Sequence, residues 1–388
     1  MMQKTAKNGI DHIAGAMLYD VEEVARMKSK KSSAGRRPKQ GAARNGASHG
    51  SPPNITMQKV AKLAGVSAMT VSRALKSDAV ISPLTRDRVL KVVKQTGYVP
   101  DATARVFASG RSGFVAVLVP SINSSNFADT ARGMTGAFER AGLQILLGDT
   151  GYSLKREEVL IGILLKRRPE AIVLTGGVHT PEARKMLAAA DIPIVEIWDL
   201  PKAPLGHVVG FSNAAAGRAM VRYLYDRGRR RIGFIGGTTN RDIRGSERRA
   251  GYIKGVKELG LPEGRIVAFG KPPVSIEQGG EALGLMLEQW PDVDAVACVS
   301  DLSAFGVLME CHRRGIAVPG RLAIAGFGDF DVGRCAWPRL TTIGIDCVGI
   351  GERAAEIVLD AIGARDRRGA MPPARVTMEF KVIARETT

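Results

Sequence analysis

From Phe114 onward the chain alternates short apolar runs with helix-length segments, and this alternation constrains the fold more than any other feature. The runs are FVAVLVP, LQILLGD, AIVLTGG, PIVEIW, RIGFIGG, AVACVSD and LAIAGFGD. Between them lie segments such as FADTARGMTGAFERAG and NAAAGRAMVRYLYDRG. Strands apolar on both faces need cover on both faces, and strands that alternate with helices build βαβ units around parallel sheets. The series is too long for one such sheet and divides into two similar halves. Two doubly wound subdomains are therefore expected, with a ligand cleft at the carboxyl ends of their strands. The chain has 388 residues, 45% of them hydrophobic, which is enough for two or three domains with sizeable cores.

The charge is unevenly spread. Of a net +18, residues 1–54 supply ten Lys/Arg against four Asp/Glu, and residues 55–112 supply ten against three. Most of the excess thus sits in under a third of the chain, and it points to a polyanionic partner for that part. Within 1–54, residues 10–27 could form one amphipathic helix, and residues 27–54 read as a disordered basic arm without an acidic residue. The GRRPK stretch is similar to an AT-hook core, with a solvated basic linker as the plainer alternative. Translation from Met27 is a further alternative for the first residues.

Residues 55–100 carry a compact helical pattern. Thr56 can cap a first helix and Gly65 supplies a left-handed stop. Val66 turns inward, and Ser67 caps a second helix whose Val71, Ala74 and Leu75 share an inward face. Small residues at Ala61 and Ala64 allow two helices to cross steeply over a short turn, which is a helix-turn-helix. The outward face, Ala68, Met69, Thr70, Ser72 and Arg73, has no acidic group and would enter a major groove. Ser82-Pro83 starts a third helix, with Leu84, Val89, Val92 and Val93 closing the small core.

With these residues in place the chain is similar to the LacI/GalR family of bacterial regulators. The headpiece pattern T-x-x-x-V-A-x-x-A-G-V-S-x-x-T-V-S-R is matched from Thr56 to Arg73, and Tyr98 and Pro100 match the following G-Y-x-P. The resemblance covers residues 55 to about 385. It implies an all-α helix-turn-helix headpiece followed by a periplasmic-binding-protein-like pair of doubly wound parallel-sheet subdomains. It also implies a homodimer that reads a palindromic DNA operator and is released by a small-molecule effector, with no cofactor. By the same resemblance Ala68 and Met69 would read bases, with Thr56, Ser67, Thr70, Ser72 and Arg73 around them. Ser82, Thr85 and Arg86 would hold phosphates. Residues 101–112 would be the hinge helix and linker, placing Ala104 and Phe107 against the minor groove. Phe107 stands where the family usually has a leucine wedge, and phenylalanine can serve as one. The apolar Ala68-Met69 pair can touch thymine methyls without bidentate hydrogen bonds, so discrimination would lean on Arg73, Thr70 and indirect readout.

The effector-binding and dimerisation domain would be 113–388, split into an N-subdomain (about 113–209 plus 345–371) and a C-subdomain (about 210–344 plus 372–388). The resemblance lines its cleft with Ser121, Asn126, Phe127, Asp149, Tyr152, Thr175, His179, Glu196, Trp198 and Asp199. Arg248 and Ser300-Asp301 would complete it from the other side. Arg248 sits where the family holds an anionic or polyhydroxylated effector, a task that suits a guanidinium fork. Two departures stand out: Gly328 replaces an Asp common in sugar- and purine-sensing members, and Ser300-Asp301 replaces Asn-Asp. The segments VPSINSSNFAD, TGGVHT and IPIVEIWDLP resemble the gluconate-operon repressors of the family. Gluconate or a related aldonate is thus one expected effector, another sugar acid or sugar the alternative, and a DNA-bending protein without an effector a third reading.

Plainer roles exist for several of these residues. His179 and His207 could be structural, Tyr152 and Trp198 could close a core edge, and Arg229-Arg230-Arg231 could be a solvated helix end. The four cysteines lack any CxxC spacing and read as reduced, buried thiols. No HExxH, GxxxxGK[ST] or GxGxxG motif occurs, so catalysis is not expected. No run approaches a membrane span and the N-terminus lacks signal-peptide features, which predicts a cytoplasmic protein. Without a leucine heptad tail a dimer is expected, not a tetramer.

Overall fold

The computed structural model describes residues 55–75, 81–99, 111–237, 242–367, 369 and 371–388. The helix expected over 10–27, the basic arm, Pro100, and the hinge with Ala104 and Phe107 lie outside the described residues. Two units are present, a small helical one before Gly113 and a larger one from Gly113 to Thr388.

Among its described residues the small unit has three helices, α1 (Met57–Ala64), α2 (Ala68–Ala74) and α3 (Pro83–Thr96). Their ends form as the sequence specifies. Thr56 Oγ1 accepts from the Lys59 amide at 3.3 Å, and Ser67 Oγ accepts from the Thr70 amide at 3.1 Å. Gly65 adopts φ 62°, the left-handed conformation that reverses the chain between α1 and α2. Val60, Ala61, Ala64, Val71, Ala74, Val89 and Tyr98 form the buried core. Leu84 is not part of it; the side chain is 85% exposed. Val89, Val92 and Val93 share one stripe of α3 by their three- and four-residue spacing, and Leu84, five residues before Val89, falls off that stripe.

The larger unit holds two six-stranded sheets. The first contains β1 (Phe114–Val119), β2 (Gln144–Asp149), β3 (Ala171–Thr175), β4 (Ile194–Ile197), β5 (His207–Gly210) and β11 (Arg375–Thr377), in the order β11-β5-β4-β3-β1-β2. Every pair in it is parallel. The second contains β6 (Ile232–Gly236), β7 (Ile266–Ala268), β8 (Ala295–Cys298), β9 (Ala323–Phe327), β10 (Thr341–Ile345) and β12 (Phe380–Ile383), in the order β12-β10-β9-β8-β6-β7. Only β12 runs antiparallel, against β10. Helices α4 (Ser125–Arg140), α5 (Leu154–Leu165), α6 (Pro181–Ala188), α7 (Asn213–Asp226), α8 (Ile243–Glu258), α9 (Ile276–Gln289), α10 (Asp301–Arg313), α11 (Asp331–Cys335) and α12 (Cys347–Asp366) connect them. All seven apolar runs read from the sequence are strands.

Several expectations need correction. The C-terminal segment 372–388 does not lie wholly with the second sheet, because Arg375–Thr377 pairs with His207–Gly210 in the first. Strand β2 is an edge strand, and Leu146 and Leu147 are exposed, so it is not covered on both faces. Three cysteines are buried as expected, but Cys335 is exposed. The Arg229–Arg231 run follows α7; Arg230 and Arg231 are exposed, as a solvated helix end would have them, while Arg229 is half-buried and tied down. The backbone amides of Arg230 and Arg231 donate to the Asp294 carboxylate, and Arg229 donates to the Pro319 carbonyl at 2.6 Å.

Glycine brings α7 and α8 into backbone contact. A Cβ on Gly217 would lie 2.2 Å from the Arg248 carbonyl oxygen, and one on Gly251 would lie 2.0 Å from that of Ala214. This close approach carries Arg248 to the beginning of α7.

Candidate functional site

In both sheets the strand order reverses beside the first strand of the lobe, β1 in one and β6 in the other, which is where doubly wound proteins bind ligands. A cleft of about 410 Å3, partly open to solvent, lies there. Its lining follows the strand ends: Pro120 after β1, Thr150 and Tyr152 after β2, Thr175–Val178 after β3, Asp199 after β4, and Arg244 after β6.

Of the residues expected from sequence, Tyr152, Thr175 and Asp199 line this cleft directly. Burial pushes the Tyr152 phenol up to about 12, so it stays a neutral hydroxyl. Phe127 sits edge-on to Trp198, with ring centres 5.2 Å apart. Trp198 is a core residue; its Nε1 donates to Thr130 Oγ1 at 3.1 Å. Ser121 and Asp149 shape the loops: Ser121 Oγ accepts from the Asn123 amide, and the Asp149 carboxylate accepts from the amides of Ile122 and Gly151. Asn126 is buried beside Gly328.

His179 and Glu196 are placed together, but behind the lining. His179 Nδ1 lies 2.6 Å from Glu157 Oε1 and its Nε2 lies 3.2 Å from Glu196 Oε1. Burial alone would depress this imidazole, but the two glutamates outweigh it and raise the pKa to about 9. His179 is thus a protonated structural strut between two carboxylates. His207 is structural as well, its Nδ1 accepting from the Ala374 amide at 3.0 Å.

Arg248 is held on three sides. Its Nη1 donates to Asn213 Oδ1 at 3.0 Å, its Nη2 is 3.8 Å from Asp242, and its guanidinium carbon lies 4.0 Å from the Phe327 ring centre. Its Nε is buried and has no hydrogen-bond partner among the described residues.

Ser300 and Asp301 turn away from this group. Ser300 caps α10 by accepting from the Ser303 amide. Asp301 is fully buried, accepting from the Phe330 amide at 2.7 Å and from Thr342 Oγ1 at 2.6 Å. Burial pushes its carboxyl up to about 6. The pair therefore braces the β9–α11 turn and is not brought to the cleft lining.

Sequence reasoning missed Arg244 and Glu247. Glu247 is pushed up to about 7, first by burial and then by the neighbouring Asp199 carboxylate. The spacing of Arg244, Glu247 and Arg248 in IRGSERRAG, three and four residues apart, is the signal that could have found them, since it puts all three on one helix face.

In the small unit, α2 presents Met69 (64% exposed) and Arg73 outward, with Ala68, Thr70 and Ser72 half-buried between them. Thr70 and Ser67 hydroxyls lie 2.9 Å apart, and Ser82 donates to Thr85 Oγ1 at 2.8 Å. Arg86 is half-buried on α3. Such a helix face, small and cationic, suits a major groove.

A helix-turn-helix unit joined to a two-lobed cleft defines a DNA-binding transcriptional regulator, and comparison with known proteins agrees. Residues 56–101 match the family model of bacterial regulatory proteins of the lacI family, and residues 221–388 match the periplasmic binding protein-like domain. The HTH-type transcriptional regulator GntR of Pseudomonas aeruginosa is 36% identical over 333 residues, 86% of this chain and 95% of that protein. GntR of Escherichia coli K12 is 31% identical over 324 residues, 84% of this chain and 96% of that protein. A solved LacI-family transcriptional regulator from Silicibacter pomeroyi is 34% identical, covers 86% of this chain and 99% of its own, and superposes with a TM-score of 0.79. The chain belongs to the LacI family.

Proposed function

We propose that the protein is a cytoplasmic repressor that binds a palindromic operator as a homodimer and is released by a sugar acid, gluconate or a related aldonate. The headpiece would be 55–100, the hinge 101–112 and the effector domain 113–388. Ala68, Met69, Thr70, Ser72 and Arg73 would meet the bases, with Thr56, Ser67, Ser82, Thr85 and Arg86 on the backbone. Arg248, Tyr152 and Thr175 would meet the effector, with Phe127 as a wall.

The observation that carries this reading is the pairing of two features in one chain. One is a capped helix-turn-helix with an outward face lacking acids; the other is a cleft at two strand-order reversals with Arg244 on one wall. The two GntR relatives support the sugar-acid choice, as do the segments VPSINSSNFAD and TGGVHT. Uncovered apolar side chains on edge strand β2 (Leu146, Leu147) and on α5 (Val159, Ile163) support a second copy as partner.

A thermal-shift screen of aldonates, phosphorylated sugars and free sugars tests the effector. A binder present at a hundred times its dissociation constant stabilises the fold by about 2.7 kcal/mol. Stabilisation by aldonates alone is the expected result, and stabilisation only by neutral or phosphorylated sugars would replace the effector class.

A further inference from the structure

Arg244 and Arg248 stand four residues apart on one face of α8, yet they are held in different ways. Arg248 is fixed by the Asn213 amide, the Phe327 ring and the Asp242 carboxylate, which offsets its charge. Arg244 is only 7% exposed and lines the cleft itself. Its Nη1 donates to the Thr175 carbonyl at 3.2 Å, across the cleft from its own lobe. The rings of Phe127 and Tyr152 lie 5.6 and 6.0 Å from its guanidinium carbon. No carboxylate lies within 4.0 Å of it among the described residues.

A buried guanidinium with no carboxylate at ion-pair distance, offset only at longer range by Glu247 on its own helix, carries a charge that an arriving anion would pair directly. Its planar fork offers two parallel N–H groups, the geometry that a carboxylate accepts. The aromatic walls lower the local dielectric and so strengthen such a pair.

On the reading of this cleft as the effector site, we propose that Arg244 receives the effector's carboxylate. It thereby makes the cleft prefer a sugar acid to the neutral polyol of the same carbon skeleton. Arg248 serves the hydroxylated part of the ligand, as do Asp199 and Thr175. Arg244 is the specificity-determining residue, and the ligand class is a hydroxylated monocarboxylate.

Calorimetric titration of the full chain tests this with a panel of aldonates, D-gluconate and D-galactonate among them, each beside the alditol of equal carbon number. The wild type should favour at least one aldonate by roughly a hundredfold, the size of one buried charge-assisted contact. Arg244→Gln should bring that ratio to within about threefold while leaving alditol affinity unchanged, and Arg244→Lys should fall between, because it keeps the charge without the fork. Operator affinity and melting temperature check that each variant is folded; if Arg244→Gln fails that check, Arg244→Lys alone must show the reduced ratio. A wild-type ratio in these variants, or equal loss of acid and alditol, would overturn the assignment. A wild type that binds acid and alditol alike would overturn it while leaving the cleft as the effector site. A wild type that binds neither would sink the effector reading itself, and Arg244's role with it.

Discussion

The central carbon of the Arg248 guanidinium lies over Phe327, 4.0 Å from its ring centre, so a helix of the second lobe is pinned to the end of strand β9. A lysine cannot reproduce both the stack and the Asn213 hydrogen bond. Arg248→Ala and Arg248→Lys should both abolish release by the effector while leaving operator affinity unchanged, since the headpiece is a separate unit. The loss of effector binding should be about 2–5 kcal/mol, measured by calorimetry. Full effector affinity in either variant would remove Arg248 from the site.

Glu247 should make effector binding depend on pH. Its pKa is raised to about 7 by burial and by Asp199, so it is half protonated near neutrality. An incoming anion favours the protonated form. Affinity for a sugar acid should therefore be higher below pH 7 and fall as pH rises through 8, with proton uptake on binding. Titrations in buffers of different ionisation enthalpy measure that uptake. Glu247→Gln should flatten the profile, and an alditol should show no such slope.

Gly328 holds φ +122°, and a Cβ there would lie 2.3 Å from the Phe330 ring and 2.8 Å from the Asn126 amide nitrogen. An aspartate side chain is therefore poorly accommodated at this position. Gly328→Asp should not restore a sugar-binding carboxylate. It should instead destabilise the fold by about 1–3 kcal/mol through strain and crowding, seen as a lower denaturation midpoint. A stable Gly328→Asp protein with new affinity for neutral sugars would contradict this.

The Glu157–His179–Glu196 strut ties stability to pH. His179 has a folded pKa of about 9, above the ordinary value of about 6.5. Its contribution is therefore complete below pH 6.5 and is lost as pH rises from there through 9. Denaturation midpoints should fall over that window in the wild type and much less in His179→Gln. That variant leaves two buried carboxylates without their cation and should cost roughly 3 kcal/mol at neutral pH.

How far the sequence reached can be judged from these residues. The caps at Thr56, Ser67 and Ser82, the turn at Gly65 and the seven apolar strands were legible because each is set by local geometry or short-range periodicity. Leu84 and the edge position of β2 were not, since exposure depends on what packs against an element. The split of 372–388 between two sheets depends on the strand order, which no single segment encodes. In the cleft, the strand-end rule found Tyr152, Thr175 and Asp199. It could not tell a side chain that faces the ligand from one such as Asp301, whose carboxylate is consumed by Phe330 and Thr342. Arg244 was missed because one more arginine in a helix draws no attention until Thr175, Phe127 and Tyr152 are seen around it.

The central claim, that one chain couples an operator to a sugar acid, is tested most directly by operator binding itself. The full chain would be used to select duplexes from a random pool, and the enriched duplex titrated by fluorescence anisotropy over a salt series, with and without the aldonate that stabilises the protein. The account predicts a palindrome of about 14–20 base pairs, affinity that falls steeply with salt, and a further loss on adding the aldonate that Arg248→Ala no longer shows. No palindromic consensus, salt-insensitive binding, or an aldonate that binds without changing operator affinity would contradict it.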